Sequence, residues 1–319
     1  MNKNSLNKKT KHLKKTNKNK NLYKKKMEDN PEALIRKAES KLSPGFFGKL
    51  FSNEQIRFEE ATQLYESAGN IYKLNKEWEK AGKCFEKCAE LDKKTQTEPS
   101  QHYREASHCF SFVDKERSIK NLEDCVKSYE KKGKYQQAGK ITQEMAHDLE
   151  VELDYEKAIE KYKLAADYYS MESKNTKSLE QACLLKQADL MCISNHKDML
   201  EKVPLIYEKL GMEYLTVPLL KSGAKDLFFK CIVVFLVKKD DVTADIYLKK
   251  FLNEDPTFDD TRESKFLQEA IKCIGEPPDP EGFKKAVADY KSYRDLDKWK
   301  LNMFAAVLKG IEAPDNEFL

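Results

Sequence analysis

Tyr65-Glu-Ser-Ala68-Gly69-Asn-Ile-Tyr72 returns twice farther along the chain, as Tyr162-Lys-Leu-Ala165-Ala166-Asp-Tyr168-Tyr169 and as Tyr207-Glu-Lys-Leu210-Gly211-Met-Glu-Tyr214. On a helix, offsets of three, four and seven residues share one stripe. The small residue at the centre of each copy lets a second helix come close, and the tyrosines flank the gap. A stripe of this kind cannot be buried by one helix alone, so the pattern predicts stacked helix pairs. The expected fold is all-α: a right-handed tetratricopeptide-like helical solenoid, capped by a C-terminal helical bundle. Stacks of this type act as binding surfaces more often than as reaction vessels.

Working outward from the first copy, Trp78 opens a second helix on which Ala81, Phe85 and Cys88 continue the packing stripe. In the second unit Ala158, Ile159, Tyr162, Ala165, Ala166 and Tyr169 are answered by Ala182, Leu185 and Ala188. In the third, Tyr207 to Tyr214 is answered by Ala224 and Phe228. The helix pairs recur about every 40 residues, longer than the strict 34 of the tetratricopeptide template, so the repeats are irregular. About fourteen helices fit the periodicity. The repeats fade after Asp255-Pro256. A compact cap is expected there, its stripe running from Phe266, Leu267 and Ala270 through Phe283, Val287 and Tyr290 to Trp299, Met303 and Val307. The sequence thus divides into an extension at 1–26, a repeat region at 27–255 and a cap with its tail at 256–319.

Charged residues make up 35% of the 319 residues, against only 11 Gly and 10 Pro, which suits a helical protein rather than a sheet protein. No apolar run approaches the roughly 20 residues of a membrane span, and the basic N-terminus lacks the apolar segment of a secretory signal. Eight cysteines without a CxxC spacing are expected to be reduced packing thiols, which places the protein in the cytoplasm. The net charge of +4 conceals an asymmetry. Residues 1–26 hold eleven lysines and no acid, so the rest of the chain carries −7. The extension is Asn-rich and nearly devoid of apolar residues, and disorder is expected. It could hold acidic lipid or nucleic acid, or be dispensable; Met27-Glu28-Asp29 has the look of a second start.

Three candidate reaction centres fail on spacing. Gly133 to Ile141 imitates a phosphate loop, but five residues separate Gly133 from Gly139 and Ile141 replaces the Ser or Thr that would bind magnesium. Cys84 and Cys88, with His102, His108 and Cys109 following, lack the paired-ligand spacing of zinc sites, and Cys88 already belongs to a packing stripe. None of the five histidines stands in a recognised arrangement with a nucleophile. The expectation is a non-enzyme that needs no cofactor and no metal.

The loop Ser43 to Ser52 is different in kind. Phe46, Phe47, Leu50 and Phe51 crowd among Gly, Pro and Ser, which disfavour a helix. The loop either tucks back on the first helix pair or forms an exposed wedge that dips into a membrane surface beside Lys49. At roughly 1.5–3 kcal/mol for each fully buried Phe, four partly inserted side chains would give reversible docking.

At this point the chain resembles a known family over about residues 30–319: the soluble N-ethylmaleimide-sensitive factor attachment proteins, of the alpha type. The resemblance is carried by Phe46-Phe47-Gly48-Lys49-Leu50-Phe51, by Tyr72 through Gly82, and by Asp154 through Tyr169. Its most specific run is Pro218-Leu219-Leu220-Lys221-Ser-Gly-Ala224-Lys225-Asp226-Leu-Phe228-Phe229-Lys230. Phe258 through Lys265 and Leu296-Asp297-Lys298-Trp299 extend it into the cap.

The resemblance implies an adaptor. It would bind assembled SNARE four-helix bundles (syntaxin-type and partner SNAREs) and recruit the hexameric ATPase N-ethylmaleimide-sensitive factor, which takes the bundle apart in vesicle fusion and trafficking. SNARE bundles are acidic, so a basic concave face is implied: Lys134 and Lys140 match the family's basic contacts, Lys76, Lys186 and Lys225 are additional candidates, and Leu219 matches an apolar contact. Phe46, Phe47, Leu50 and Phe51 would touch the membrane, making the protein peripheral. Asp240, Glu263 and Glu269, with Asp315, Glu317, Phe318 and Leu319 of the tail, would face the ATPase. Ala182, Ser222, Lys272 and Cys273 depart from the family's pattern at individual contacts. Two other classes compete. A general tetratricopeptide-type peptide-binding adaptor or chaperone cofactor clamps a carboxylate inside one groove, which the drifting repeats fit poorly. An RNA-binding repeat protein would use the basic extension, but the acidic body speaks against nucleic acid.

Overall fold

A computed structural model describes residues 30–43, 53–172, 175–292 and 295–312. The basic extension, the apolar loop positions Phe46, Phe47, Leu50 and Phe51, and the tail positions Asp315, Glu317, Phe318 and Leu319 lie outside the described residues. Within them the protein is all-α, with fourteen α-helices and one 3-10 turn. In chain order these are α1 (Pro31–Leu42), α2 (Glu54–Leu74), α3 (Trp78–Thr95), α4 (Ser100–Phe110), α5 (Lys115–Lys131), α6 (Tyr135–Val151) and α7 (Tyr155–Met171). Then follow α8 (Lys177–Ile193), α9 (Met199–Leu215), α10 (Lys221–Val237), α11 (Asp241–Glu254), the 3-10 turn Pro256–Phe258, α12 (Arg262–Ile274), α13 (Pro280–Lys291) and α14 (Lys298–Glu312). The chain forms two compact units, Met1–Ile141 and Thr142–Leu319.

In the first unit each helix from α1 to α5 packs on the next. The motif works here as its spacing predicts. Tyr65, Ala68, Gly69 and Tyr72 of α2 are buried against Ala81, Cys84, Phe85 and Cys88 of α3. A methyl group on Gly69 would stand 3.2 Å from both Cys84 Cβ and the Phe85 ring, so the helices meet backbone to side chain. Tyr72, buried at its ring, reaches out to donate its hydroxyl to Glu32 Oε1 of α1 at 2.9 Å. Asp92 near the end of α3 and His102 of α4 are joined at 2.6 Å, which ties the second pair to the first.

In the second unit α7 packs on α8, α8 on α9 and α9 on α10. Ala165 and Ala166 of α7 are fully or almost fully buried, and Tyr162 and Tyr169 donate to Glu150 Oε2 (2.7 Å) and Gln143 Oε1 (2.8 Å). Gly211 of α9 is tighter than Gly69, because an added methyl would lie 2.6 Å from the Phe228 ring of α10. That ring cannot retreat: it stacks on Phe251 at 4.0 Å and abuts Phe258 edge-on at 6.0 Å. Beyond α10 the architecture changes from hairpins to a bundle. Leu227 to Leu236 are buried without a break, and α9, α11, α12 and α14 all pack against α10. A helix apolar on every side is a core helix, and it ends the one-dimensional repeat.

The final helix is locked by a polar network. Lys230 of α10 is buried, with its Nζ 3.0 and 3.1 Å from the two oxygens of Asp189 on α8. It lies over the rings of Tyr207 and Trp299 at 5.8 and 5.4 Å. Tyr207 donates to Asp189 Oδ1 at 2.6 Å and accepts from Trp299 Nε1 of α14 at 3.0 Å. Burial alone would lower the ammonium pKa, but Asp189 and Asp226 outweigh it and hold Lys230 charged above its ordinary value. Four helices therefore meet at one cation. The two runs Phe228-Phe229-Lys230 and Leu296 to Trp299 interlock at this point.

Six of the described inter-helix turns share one construction that the composition hides. Lys76, Gln96, Gly133, Leu153, Asn195 and Lys239 all have positive φ. In each case the next amide bonds back to a carbonyl five residues earlier, as from Glu77 to Tyr72 (2.9 Å) and from Lys134 to Tyr129 (2.9 Å). This is the Schellman closure of a helix end. Asp154 and Asp240 come directly after two of these turns and cap α7 and α11, and Asp114 caps α5.

Two stability predictions follow from these contacts. Gly211→Ala should destabilise the protein by about 1–3 kcal/mol through overpacking, while Gly69→Ala, with its looser clearance, offsets most of its cost with the higher helix propensity of Ala; thermal unfolding ranks the two. Lys230→Ala takes the shared buried cation from between Asp189, Tyr207 and Trp299 and should cost about 3 kcal/mol, with faster amide exchange along α14 as its local sign.

Candidate partner-binding surfaces

The candidate basic residues fall in both units. In the first, Lys76 projects from the α2–α3 turn, where its positive φ aims it off the helix ends, and it is exposed. Lys134 is the last residue before α6 and donates to Glu98 Oε2 at 3.1 Å. Gly133 beside it supplies the left-handed turn (φ 66°), so the segment once compared with a phosphate loop is a helix–helix turn with no strand before it. Lys140 is exposed on α6 and holds no ion pair among the described residues.

In the second unit Lys186 is exposed on α8 and donates to Glu150 Oε1 at 2.8 Å. Lys225 is only half exposed and donates to the Thr257 carbonyl at 2.8 Å, so it fastens α10 to the 3-10 turn. Leu219 stands in the α9–α10 turn with 92% of its surface open, the most exposed large apolar residue described. A bare leucine at that exposure has no packing role and is available to a partner.

The carboxylates opposite the lysines are unusually well held. Burial would raise the Glu98 carboxyl, but hydrogen bonds from Ser100 and Lys134 overcome it and keep the group below the ordinary carboxylate range. Glu150 behaves alike, with Lys186 and Tyr162 as the donors that outweigh burial. No sequence motif pointed to either acid. The signal that could have found them is the separation of 36 residues, near one repeat, that each keeps from its lysine.

The three acidic candidates that are described separate into different environments. Glu269 is exposed on α12, paired with Lys272 at 2.8 Å. It lines a groove of about 360 Å³ between α12 and α13, floored by Phe266, Ala286 and Tyr290 and edged by Arg262 and Lys265. Glu263 lies behind that groove, where its Oε1 accepts from the Tyr290 hydroxyl and from Arg262 Nε, both at 3.1 Å. Asp240 accepts from the Thr243 amide at 2.9 Å and serves as the cap of α11. Its position is thus accounted for by local structure.

All eight cysteines are buried and unbridged. Burial pushes Cys84 up to about 11 and Cys88 well above its ordinary range, which suppresses thiolate chemistry and metal ligation. Among the described residues no group of His, Cys, Asp and Glu is placed to hold a metal ion, and no helix is long and apolar enough to cross a membrane.

The sequence matches the family described as "Soluble NSF attachment protein, SNAP" over residues 29–312. The alpha-soluble NSF attachment protein of Saccharomyces cerevisiae is 32% identical, over 91% of this chain and 99% of its own. The vesicular-fusion protein SEC17 of Komagataella phaffii and the alpha-soluble NSF attachment protein of Mus musculus are each 31% identical, over 89% of this chain and 96% of theirs. Coverage of residues 29–312, through both helical units and the final helix that Trp299 locks in place, shows that the chain belongs to the soluble NSF attachment protein family.

Proposed function

We propose that this protein is a non-catalytic adaptor that grips assembled SNARE four-helix bundles and delivers them to the hexameric ATPase N-ethylmaleimide-sensitive factor. The observation that carries this reading is the family match from residue 29 to 312, reinforced by relatives named for vesicular fusion and for NSF attachment. Lys76, Lys134, Lys140 and Lys186 supply exposed positive charge to an acidic bundle, and Leu219 adds an apolar contact. Each exposed charge pair contributes only ~0–1 kcal/mol, so binding is the sum of several weak contacts and falls with salt. Lys225 contributes less, because its ammonium is already engaged by Thr257.

Phe46, Phe47, Leu50 and Phe51 hold the adaptor on the membrane that carries the SNAREs, a second weak contact that multiplies the first. A cytoplasmic protein resting on membranes needs no more than that. The acids at the C-terminal end, Glu263, Glu269, Asp315 and Glu317, together with Phe318 and Leu319, engage the ATPase. Asp240 is a weaker candidate, since capping α11 explains it. ATP hydrolysis belongs to the partner.

Replacing Lys134 and Lys140 together with Glu should abolish most capture of a soluble SNARE bundle in a pulldown at low salt; undiminished capture would reject these lysines as the contact. Leu319→Ala should leave that capture intact and weaken the disassembly stimulated by the ATPase, and equal loss of both activities would remove the division of labour.

A further inference from the structure

The two ion-paired lysines of the proposed contact share an arrangement that no spacing rule anticipated. Lys134 meets Glu98 and Lys186 meets Glu150, each across 36 residues of chain. In both pairs the acid is the fixed member. Glu98 also accepts from the hydroxyls of Ser100 and of Ser128, the latter at 3.3 Å. Glu150 accepts from the Tyr162 hydroxyl at 2.7 Å, with His147 Nδ1 4.0 Å away. The lysine side chains are looser, 46% and 51% exposed against 29% and 21% for their carboxylates. A lysine that swings outward therefore leaves its acid hydrogen-bonded and wetted rather than stranded. Lys230 is the opposite case: 10% exposed between Asp189, Asp226 and two aromatic rings, it has no such path.

We propose that Glu98 and Glu150 are built-in competitors that occupy two partner-binding lysines in the free protein and release them only to an acidic surface. The inference rests on the adaptor reading above. Its physical content is an exchange: a lysine that trades one carboxylate for another gains only the difference between the two pairs. A stray acidic side chain on another protein offers no net gain. A helical bundle that presents several carboxylates together outcompetes the acid at each lysine, where a lone carboxylate does not. The competitors thus lower affinity for acidic surfaces in general and sharpen the preference for an ordered array. Lys140 has no competitor among the described residues, so it contributes its full charge from the start.

Glu98→Gln and Glu150→Gln test the idea with little risk to the fold, because an amide oxygen still accepts the Ser100, Ser128 or Tyr162 hydroxyl. The readout is the Kd of the full chain for a soluble assembled SNARE bundle at low salt. Each substitution should tighten binding about two- to fivefold, and the gain should vanish when Lys134→Gln or Lys186→Gln is combined with its partner's change. A gain that persists without the lysine would mean that net charge alone is at work and would overturn the proposal. So would no gain, or a loss, since the acid would then be orienting its lysine. A second comparison needs no acidic variant: Lys140→Gln should weaken binding more than Lys134→Gln, and the reverse order counts against the competitors. If Lys134→Gln and Lys186→Gln weaken binding while the glutamine variants give no gain, the competitors fail and the adaptor face stands. If neither lysine variant changes the Kd, the face itself fails and takes the competitors with it.

Discussion

The close approach of paired helices at a small residue between two tyrosines governs the rest of the molecule. Gly69 brings α2 against Phe85, and Gly211 brings α9 against Phe228, in each case leaving no room to spare for a methyl group. The tyrosine rings fill the flanks of the contact, and their hydroxyls reach carboxyl or amide oxygens on neighbouring helices at Glu32, Glu150, Gln143 and Asp189. A tyrosine here is both core filler and polar tie, which is why Phe would not replace it without leaving an acceptor unmet. Because the interior is packed at near-crystalline density, helices held this closely do not slide.

The ion pairs divide into two kinds. Lys230 with Asp189 is buried and permanent, and it fixes α14 to the helices before it through Tyr207 and Trp299. The pairs of Lys134 with Glu98 and Lys186 with Glu150 are superficial and exchangeable. A lysine paired with a carboxylate thus takes two forms, and burial decides which. Where water is excluded, breaking a pair leaves a charge without compensation; where it is present, a new partner can substitute at little cost.

Much of the fold could be read from the residues, because the small-residue and tyrosine spacing at 65–72, 162–169 and 207–214 states both the helix period and the partner contact. The turns were harder. Glycine marks the left-handed position only at Gly133, while Lys76, Gln96, Leu153, Asn195 and Lys239 adopt it without that advantage, stabilised by the back-bonding amide that follows. Lys230 misleads for a related reason. A lysine reads as surface, yet here it sits within a run of buried apolar residues, made tolerable by Asp226 one turn back and by the distant Asp189 and Trp299. Of the candidate site, the lysines were singled out through family resemblance and not through chemistry, since a solvated lysine looks the same with or without a partner. Glu98 and Glu150 were invisible, because their meaning arises only when two helix pairs stack. Asp240, singled out as a contact candidate, also caps α11, a role its sequence position alone did not display.

The central claim is that the chain binds and delivers, and that the chemistry is done elsewhere. It is tested most directly by following disassembly of a purified SNARE bundle with ATP present, using this protein alone, the ATPase alone, and both together. The account predicts rapid disassembly only when both are present. Disassembly by this protein alone, or an unchanged rate when it is added to the ATPase, would contradict it.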